Sequence, residues 1–272
     1  MAPPRVLSGE SEWFEAGRRM AAGEGTLVSL WGDEGRMRLC LRQADGGLSF
    51  VDVACDRGAF PSIAALHPPA SRLERAACDL YGFLALGAPD GRRWLDHGRW
   101  PLRHPLGEGA PHDGAGDAYA FLEARGPGLH QIPVGPVHAG IIEPGHFRFH
   151  AAGEAVVRLE ERLGYKHKGI DALMRGARLA RAAELAGRVS GDSTVAYAVA
   201  FARAVEAALG VEAPPRASFL RGVMAELERL ANHFGDIGAI CNDAAFALMH
   251  AHCGILRERT LRAAKLAFGH RL

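Results

Sequence analysis

The period of hydrophobic and polar positions changes along this chain, and the change divides it. Residues 10–22 carry apolar side chains at helical spacing, and 26–31, 36–42 and Leu48–Ala54 are short β-type runs separated by the turn sequences GDEG and ADGG. Ser71, with Glu74 three residues on, forms a capping-box pattern ahead of RLERAACDLYGF. That segment is a predicted helix with Leu73, Ala76, Ala77 and Leu80 on its apolar face. Residues 107–128 are rich in Gly, Pro and Asp and read as a linker or extended surface arm. Residues 146–150 and Ala155–Arg162 then alternate around Ala-Ala-Gly-Glu, a β-hairpin signature. Four helical stretches follow, 170–186, 192–209, 215–236 and 239–268, the third opened by Pro215. The expected class is α+β: a small N-terminal α/β domain, then a β-hairpin leading into a mainly α-helical bundle.

Composition narrows the function classes. With 32 basic and 31 acidic residues in 272, the chain lacks the electrostatic footprint of a nucleic-acid binder. No apolar run approaches a membrane span, and MAPPRVLSGE has no signal-peptide core. Five cysteines, Cys40, Cys55, Cys78, Cys241 and Cys253, are widely spaced without a C-x-x-C, the usage of a reduced protein without a disulfide framework. GEGAPHDGAG lacks the strand–G-x-G-x-x-G–helix context, so direct NAD binding has no support. His250, His252 and Cys253 lie in a helical pattern that puts only His250 and Cys253 on one face, and two ligands do not make a metal site.

Five constellations carry candidate chemistry. The first runs from Glu74 to Pro105: ERAACDLYGF, then APDGRRW, then WPLRHPL. Taken by itself it is a surface helix followed by a solvated basic loop. The second is Gly135-Pro136-Val137-His138, followed by Glu143-Pro144-Gly145-His146-Phe147-Arg148. It brings a carboxylate, imidazoles and a guanidinium to the start of a hairpin, where it is either a polar turn or a proton-handling site. The third, Gly164-Tyr165-Lys166-His167-Lys168-Gly169-Ile170-Asp171, turns a strand end into a helix. The fourth, Arg188-Val189-Ser190-Gly191-Asp192-Ser193, is a polar turn leading into a helix. The fifth places Glu226, Arg229 and His233 on one helical face, as an ion network between packed helices or as a proton path.

Taken in order, these motifs resemble the [NiFe]-hydrogenase large subunit and complex I D-subunit family. The likeness is to the fused C-like plus D-like form of hydrogenase-3, hydrogenase-4 and formate hydrogenlyase type. Residues Glu74, Arg75, Asp79, Tyr81, Gly82, Asp90, Arg92, Arg93, Pro101, Leu102 and Arg103 resemble the signature of the C-like part of complex I. The hexapeptide 188–193 resembles the nickel-binding Arg-x-Cys-Gly-x-Cys box, with Ser190 and Ser193 at the cysteine positions. On its far side Glu206, Gly210, Pro215, Arg216 and Ala217 fit the family pattern.

The resemblance implies a C-like domain over residues 1–106, a linker over 107–130 and the N-terminal part of a D-like helical core over 131–272. It also implies a nickel-free and C-terminally truncated member, since hydroxyls do not replace soft thiolates and the family's second cysteine pair falls past Leu272. The implied catalytic residues are Glu143 as proton relay, His146, Arg148 and Asp192, with His138, His167 and Ser193 as cofactor contacts and no metal ligand. The function implied is a subunit that passes electrons from a partner [4Fe–4S] cluster to a quinone or other acceptor, with coupling to proton transfer. Its partners would be an iron–sulfur small subunit resembling the complex I B subunit and membrane proton-pumping subunits, at the cytoplasmic face of the inner membrane. A non-catalytic scaffold, or a truncated hydrogenase large-subunit homologue, is the alternative. Gly191 stands where a quinone-binding tyrosine is expected.

Overall fold

The computed structural model describes residues 5–111, 119–138 and 142–272. The start of the N-terminal peptide and residues 112–118 of the expected linker lie outside them. Internal contacts form two compact units, one holding the described residues through His138 together with 143–167, the other holding Ile142 and 168–272. The class is as expected: sheets and helices first, a bundle of helices after.

The first unit is built on a sheet of order β1-β4-β3-β2, from β1 (Arg5–Ser8), β2 (Gly25–Asp33), β3 (Arg36–Gln43) and β4 (Leu48–Ala54). β1 runs parallel to β4, and the other pairs are antiparallel. Helix α1 (Glu10–Ala21) connects β1 to β2. The two-residue alternation turns Met37, Leu39, Leu41, Val51 and Val53 to one face, where they pack with Trp13, Ala16 and Met20 of α1. Trp13 and Phe60 are fully enclosed, and burial of such side chains stabilises by roughly 1.5–3 kcal/mol each. The Trp13 indole N–H donates to the Pro61 carbonyl at 2.8 Å, so burial leaves no orphan donor.

Strand β5 (Ala59–Pro61), helix α2 (Ala70–Tyr81) and strand β6 (Leu84–Leu86) follow, with β6 parallel to β5. The capping box does not form. Pro69 occupies the N-cap and no side chain bonds the first turn. Glu74 faces inward instead, accepting from Ser62 Oγ at 2.6 Å and Ile63 N at 2.8 Å. Burial pushes its carboxyl up, and those two hydrogen bonds oppose the shift. The buried face of α2 is mixed: Ala77 is buried as expected, together with Ala70, but Glu74, Arg75 and Asp79 are buried beside them, and Leu73, Ala76 and Leu80 are only half-buried.

Each buried charge holds a piece of loop. Arg75 donates to the Arg92 and Arg93 carbonyls at 2.5 and 2.9 Å and lies against the Trp94 ring. One Asp79 oxygen accepts from the N–H groups of Trp94 at 2.8 Å and Leu95 at 2.7 Å. In the E-R-x-x-x-D pattern, Arg75 and Asp79 therefore anchor the 90–96 loop, and Glu74 anchors the 62–63 segment. Beyond it, β7 (Leu102–Arg103) pairs with β8 (Ala110–Pro111).

A second, antiparallel sheet of order β11-β10-β9 completes the unit, from β9 (Leu129–Val134), β10 (His146–Ala152) and β11 (Ala155–Arg162). The hairpin β10–β11 matches the alternation in the sequence. β9, an edge strand interrupted by Pro133 and largely exposed, has no alternation to announce it. Arg92 ties this sheet to the α2 loop. It holds Asp90 at 2.8 Å and Glu160 of β11 at 2.7 Å and donates to the Ala120 carbonyl at 2.9 Å. The second Glu160 oxygen accepts from Leu122 N at 2.9 Å. Residues 119–123, part of the expected linker or extended surface arm, thus lie along β11. The His97 ring bonds the Leu163 carbonyl at 2.9 Å. Gly164, at φ +84, sits where a Cβ would fall 2.2 Å from the Leu95 carbonyl oxygen, so only glycine fits this approach.

The second unit contains α3 (Ile170–Met174), α4 (Leu179–Ala186), α5 (Thr194–Leu209), α6 (Pro215–Asp243) and α7 (Ala247–Phe268). The predicted 170–186 helix is broken at Gly176, which takes φ +71. The predicted break near 237 is absent, and α6 continues to Asp243. There Gly238 lets α7 approach closely, with Cys253 packed on it and His250 Nδ1 donating to its carbonyl at 3.0 Å. His250 and Cys253 are parts of a helix crossing. Arg221 of α6 pairs bidentately with Glu206 of α5.

Arg92→Met leaves Glu160 buried and short of its main partner. We expect a loss of about 3 kcal/mol in urea unfolding, with most of it recovered when Glu160→Leu is added, because an orphaned charge costs more than a missing pair.

Candidate functional site

Two loops carry the candidate residues, one in each unit. In the first, Gly135 takes φ +77 and a Cβ there would lie 2.0 Å from the Gly145 carbonyl oxygen. This backbone approach brings the two ends of the 135–146 segment together. His146 Nδ1 donates to the Gly135 carbonyl at 3.1 Å, and the His138 ring packs beside Gly135. The His146 ring meets Phe121 edge-on at 5.3 Å between centroids, and the Arg148 guanidinium lies over the same ring at 3.6 Å. His138, His146 and Arg148 thus gather around Gly135 and Phe121. Glu143 is exposed, and residues 139–141 lie outside the described residues.

His167 lies apart from that group. Its exposed ring is tilted against Trp100 at 4.8 Å, at the rim of a cleft of about 330 Å³ lined also by His97, Arg99, Arg162 and Tyr165.

In the second unit, residues 188–193 form the turn from α4 to α5. The Asp192 carboxylate accepts from both the Ser190 and Ser193 hydroxyls, the latter at 3.1 Å. The Ser190 hydroxyl holds the Asp192 carboxyl below the usual carboxylate range. Lys168 donates to the Val189 carbonyl at 3.0 Å and Asn232 to the Asp192 carbonyl at 2.5 Å. Ser193 occupies the N-cap of α5 without capping it. Glu228, reaching from α6, accepts from Val195 N at 2.6 Å and Ala196 N at 3.2 Å. A carboxylate at this end also complements the helix dipole.

The sequence does not single out Glu228, because its partners are more than thirty residues away. The face it does single out is solvent-exposed: Glu226 pairs with Arg229 at 3.3 Å, and His233 is exposed. Phe121 is the other residue passed over, hidden in the Gly-rich segment.

The donor set does not fit nickel in the way thiolates would. Both hydroxyls at the box positions already donate to Asp192, and neutral hydroxyls are poor ligands for a soft site. Among the described residues no group of three or more His, Cys, Asp or Glu side chains is placed to hold a metal ion. Among the same residues no helix is long and apolar enough to cross a membrane.

Residues 40–115 match the sequence model of the family described as respiratory-chain NADH dehydrogenase, 30 Kd subunit. They contain α2 and its anchored loop. The chain is also similar to hydrogenase-4 component G of Escherichia coli, with 34% identity over 80% of this chain and 41% of that protein. Formate hydrogenlyase subunit 5 of Escherichia coli is 31% identical over 81% of this chain and 41% of its own length. The C/D 2 subunit of NADH-quinone oxidoreductase from Aquifex aeolicus is 25% identical over 79% and 42%. The chain is therefore related to oxidoreductase subunits of the hydrogenase-4, formate hydrogenlyase and complex I C/D kind. It spans about two fifths of the length of these relatives.

Glu228→Ala removes the acceptor from two buried or half-buried N–H groups, and we expect a loss of about 1–2 kcal/mol in chemical denaturation, with fraying at the start of α5 in hydrogen exchange. Because the Asp192 carboxyl is depressed, its contribution to the turn is full above the ordinary carboxylate value of about 3.9. That contribution is lost as pH falls through the lowered value. Ser190→Ala should move the Asp192 midpoint back up, read by carboxyl-carbon NMR titration.

Proposed function

We propose that the chain is a nickel-free subunit of a membrane-associated oxidoreductase complex, passing electrons from a partner's iron–sulfur cluster to a quinone or another acceptor. The observation that carries the reading is the 188–193 turn, in a chain whose relatives include a hydrogenase component and an NADH-quinone oxidoreductase subunit. Its hydroxyls and carboxylate bond one another, and no thiolate is present. In this reading residues 1–106 form an accessory docking domain, 107–130 a linker and 131–272 part of a larger helical core. Glu143, exposed at the hairpin start, carries protons, while His138, His146 and Arg148 shape the acceptor side. Asp192 and Ser193 replace the metal box by hydrogen bonding, and His167 is a lesser contact. The partners are an iron–sulfur small subunit and membrane proton-pumping subunits, on the cytoplasmic face of the membrane. Large exposed apolar side chains on the helices, Phe219, Ile240, Leu248 and Leu266, support a surface covered in an assembly.

A scaffold role is the second reading. It is favoured by the motif residues Glu74, Arg75 and Asp79, all of which are engaged in holding loops.

The complex purified through this chain should contain an iron–sulfur small subunit and only substoichiometric nickel by elemental analysis; a full equivalent of nickel would sink the first reading. Quinone-reductase activity should fall in Glu143→Gln and His146→Ala, and activity unchanged in both would leave the scaffold.

A further inference from the structure

The guanidinium of Arg148 lacks the partner its position offers. Arg148 of β10 stands directly opposite Glu160 of β11, the pairing that normally closes a cross-strand ion pair. Glu160 is instead held by Arg92 and Leu122 N. Among the described residues Arg148 makes no hydrogen bond or ion pair, and its Nε is enclosed without an acceptor. Two residues along, on the same face of β10, His150 is buried to all but 8% of its surface, and its Nδ1 is likewise enclosed and unpartnered. Both line a cleft of about 300 Å³ with Phe121, Leu129, His130 and Gln131. Glu123 and Arg125, also at this cleft, neutralise each other at 2.6 Å. The net lining is therefore cationic, with an aromatic ring fixing the guanidinium plane and Leu129 as an apolar wall.

Buried polar groups are nearly always hydrogen-bonded, and a guanidinium is built to pair with planar or tetrahedral oxyanions. We infer that this cleft is a binding site for a small organic anion, whose carboxylate or phosphate group is held by Arg148 and His150. Its volume, at the lower end of small-molecule pockets, suits an anion of a few carbons. The site shares Arg148 with the acceptor side proposed above, but its test reads binding to the chain alone, so it stands or falls without any electron-transfer activity.

The test is calorimetric titration of the full chain with inorganic phosphate and, separately, succinate, at constant ionic strength set by chloride. At least one should bind saturably at a single site. Arg148→Met should weaken it roughly tenfold or more, the loss of a charge-assisted hydrogen bond. Arg99→Met, an exposed cation elsewhere in the same unit, should leave affinity nearly unchanged. Arg148→Lys keeps the charge and loses the fork, so it should fall between, and it serves should the methionine variant fail to fold. Binding of phosphate alone assigns a phosphorylated ligand, and of succinate alone a carboxylate. No saturable binding of either probe, or equal weakening by Arg148→Met and Arg99→Met, overturns the inference.

Discussion

Arg92 is the residue on which the first unit's register depends. Its guanidinium meets a carboxylate from its own turn, Asp90, and one from β11, Glu160, while a carbonyl from the 119–123 segment takes a further N–H. Three stretches far apart in sequence converge on one planar fork. A buried pair of this kind adds little net stability, since desolvation offsets the attraction. Its effect is on geometry. A one-residue slip of β11 would turn Glu160 to the opposite face and leave its charge without Arg92, which would keep only Asp90, so the pairing favours one register of the hairpin. Gly164 and the His97–Leu163 bond extend the same constraint to the end of the strand.

The strands and helices with one buried face were legible in the sequence, because their period is set by that face. β3, β4, α1 and the β10–β11 hairpin fall within two residues of the expectation. What escaped was set by contacts distant in sequence. The apolar face expected of α2 is present at Ala77 and Leu73, but the interior side also carries Glu74, Arg75 and Asp79, whose partners lie ten to twenty residues away in loops. α6 runs through Gly235 and Gly238, ordinarily helix-weakening, because α7 fills the space a side chain would take. Among the candidate residues, the interaction of Asp192 with its serine neighbours is local and could be read directly. The role of Glu228 at the start of α5 could not.

The same distinction bears on how motifs are interpreted. The E-R-x-x-x-D segment looks chemical by composition, with two carboxylates and a guanidinium within six residues. In the fold every one of those groups faces a backbone or side-chain partner, and none faces a cleft with its valence open. Arg148 is the reverse case. It looks like an ordinary strand residue, but its cross-strand carboxylate has been captured by Arg92. A single arginine thus completes the anchor and, by the same bond, leaves another arginine uncompensated beside a cleft.

The 188–193 turn, whose sequence resembles a metal box, is held by hydrogen bonds between protein groups. A metal bound by thiolates would clamp such a turn from inside. Here the clamp comes from outside: Lys168 and Asn232 take the carbonyls of Val189 and Asp192, and Glu228 takes the first free N–H groups of α5. The serine hydroxyls then need only one acceptor, and Asp192 supplies it. The carbonyls of Val189 and Asp192 and the hydroxyls of Ser190 and Ser193 all have protein partners, so serine at the two box positions is compatible with an ordered turn. The shape of such a loop and metal chemistry on it are separable, which is the physical condition for one fold to carry the loop with or without thiolate ligands.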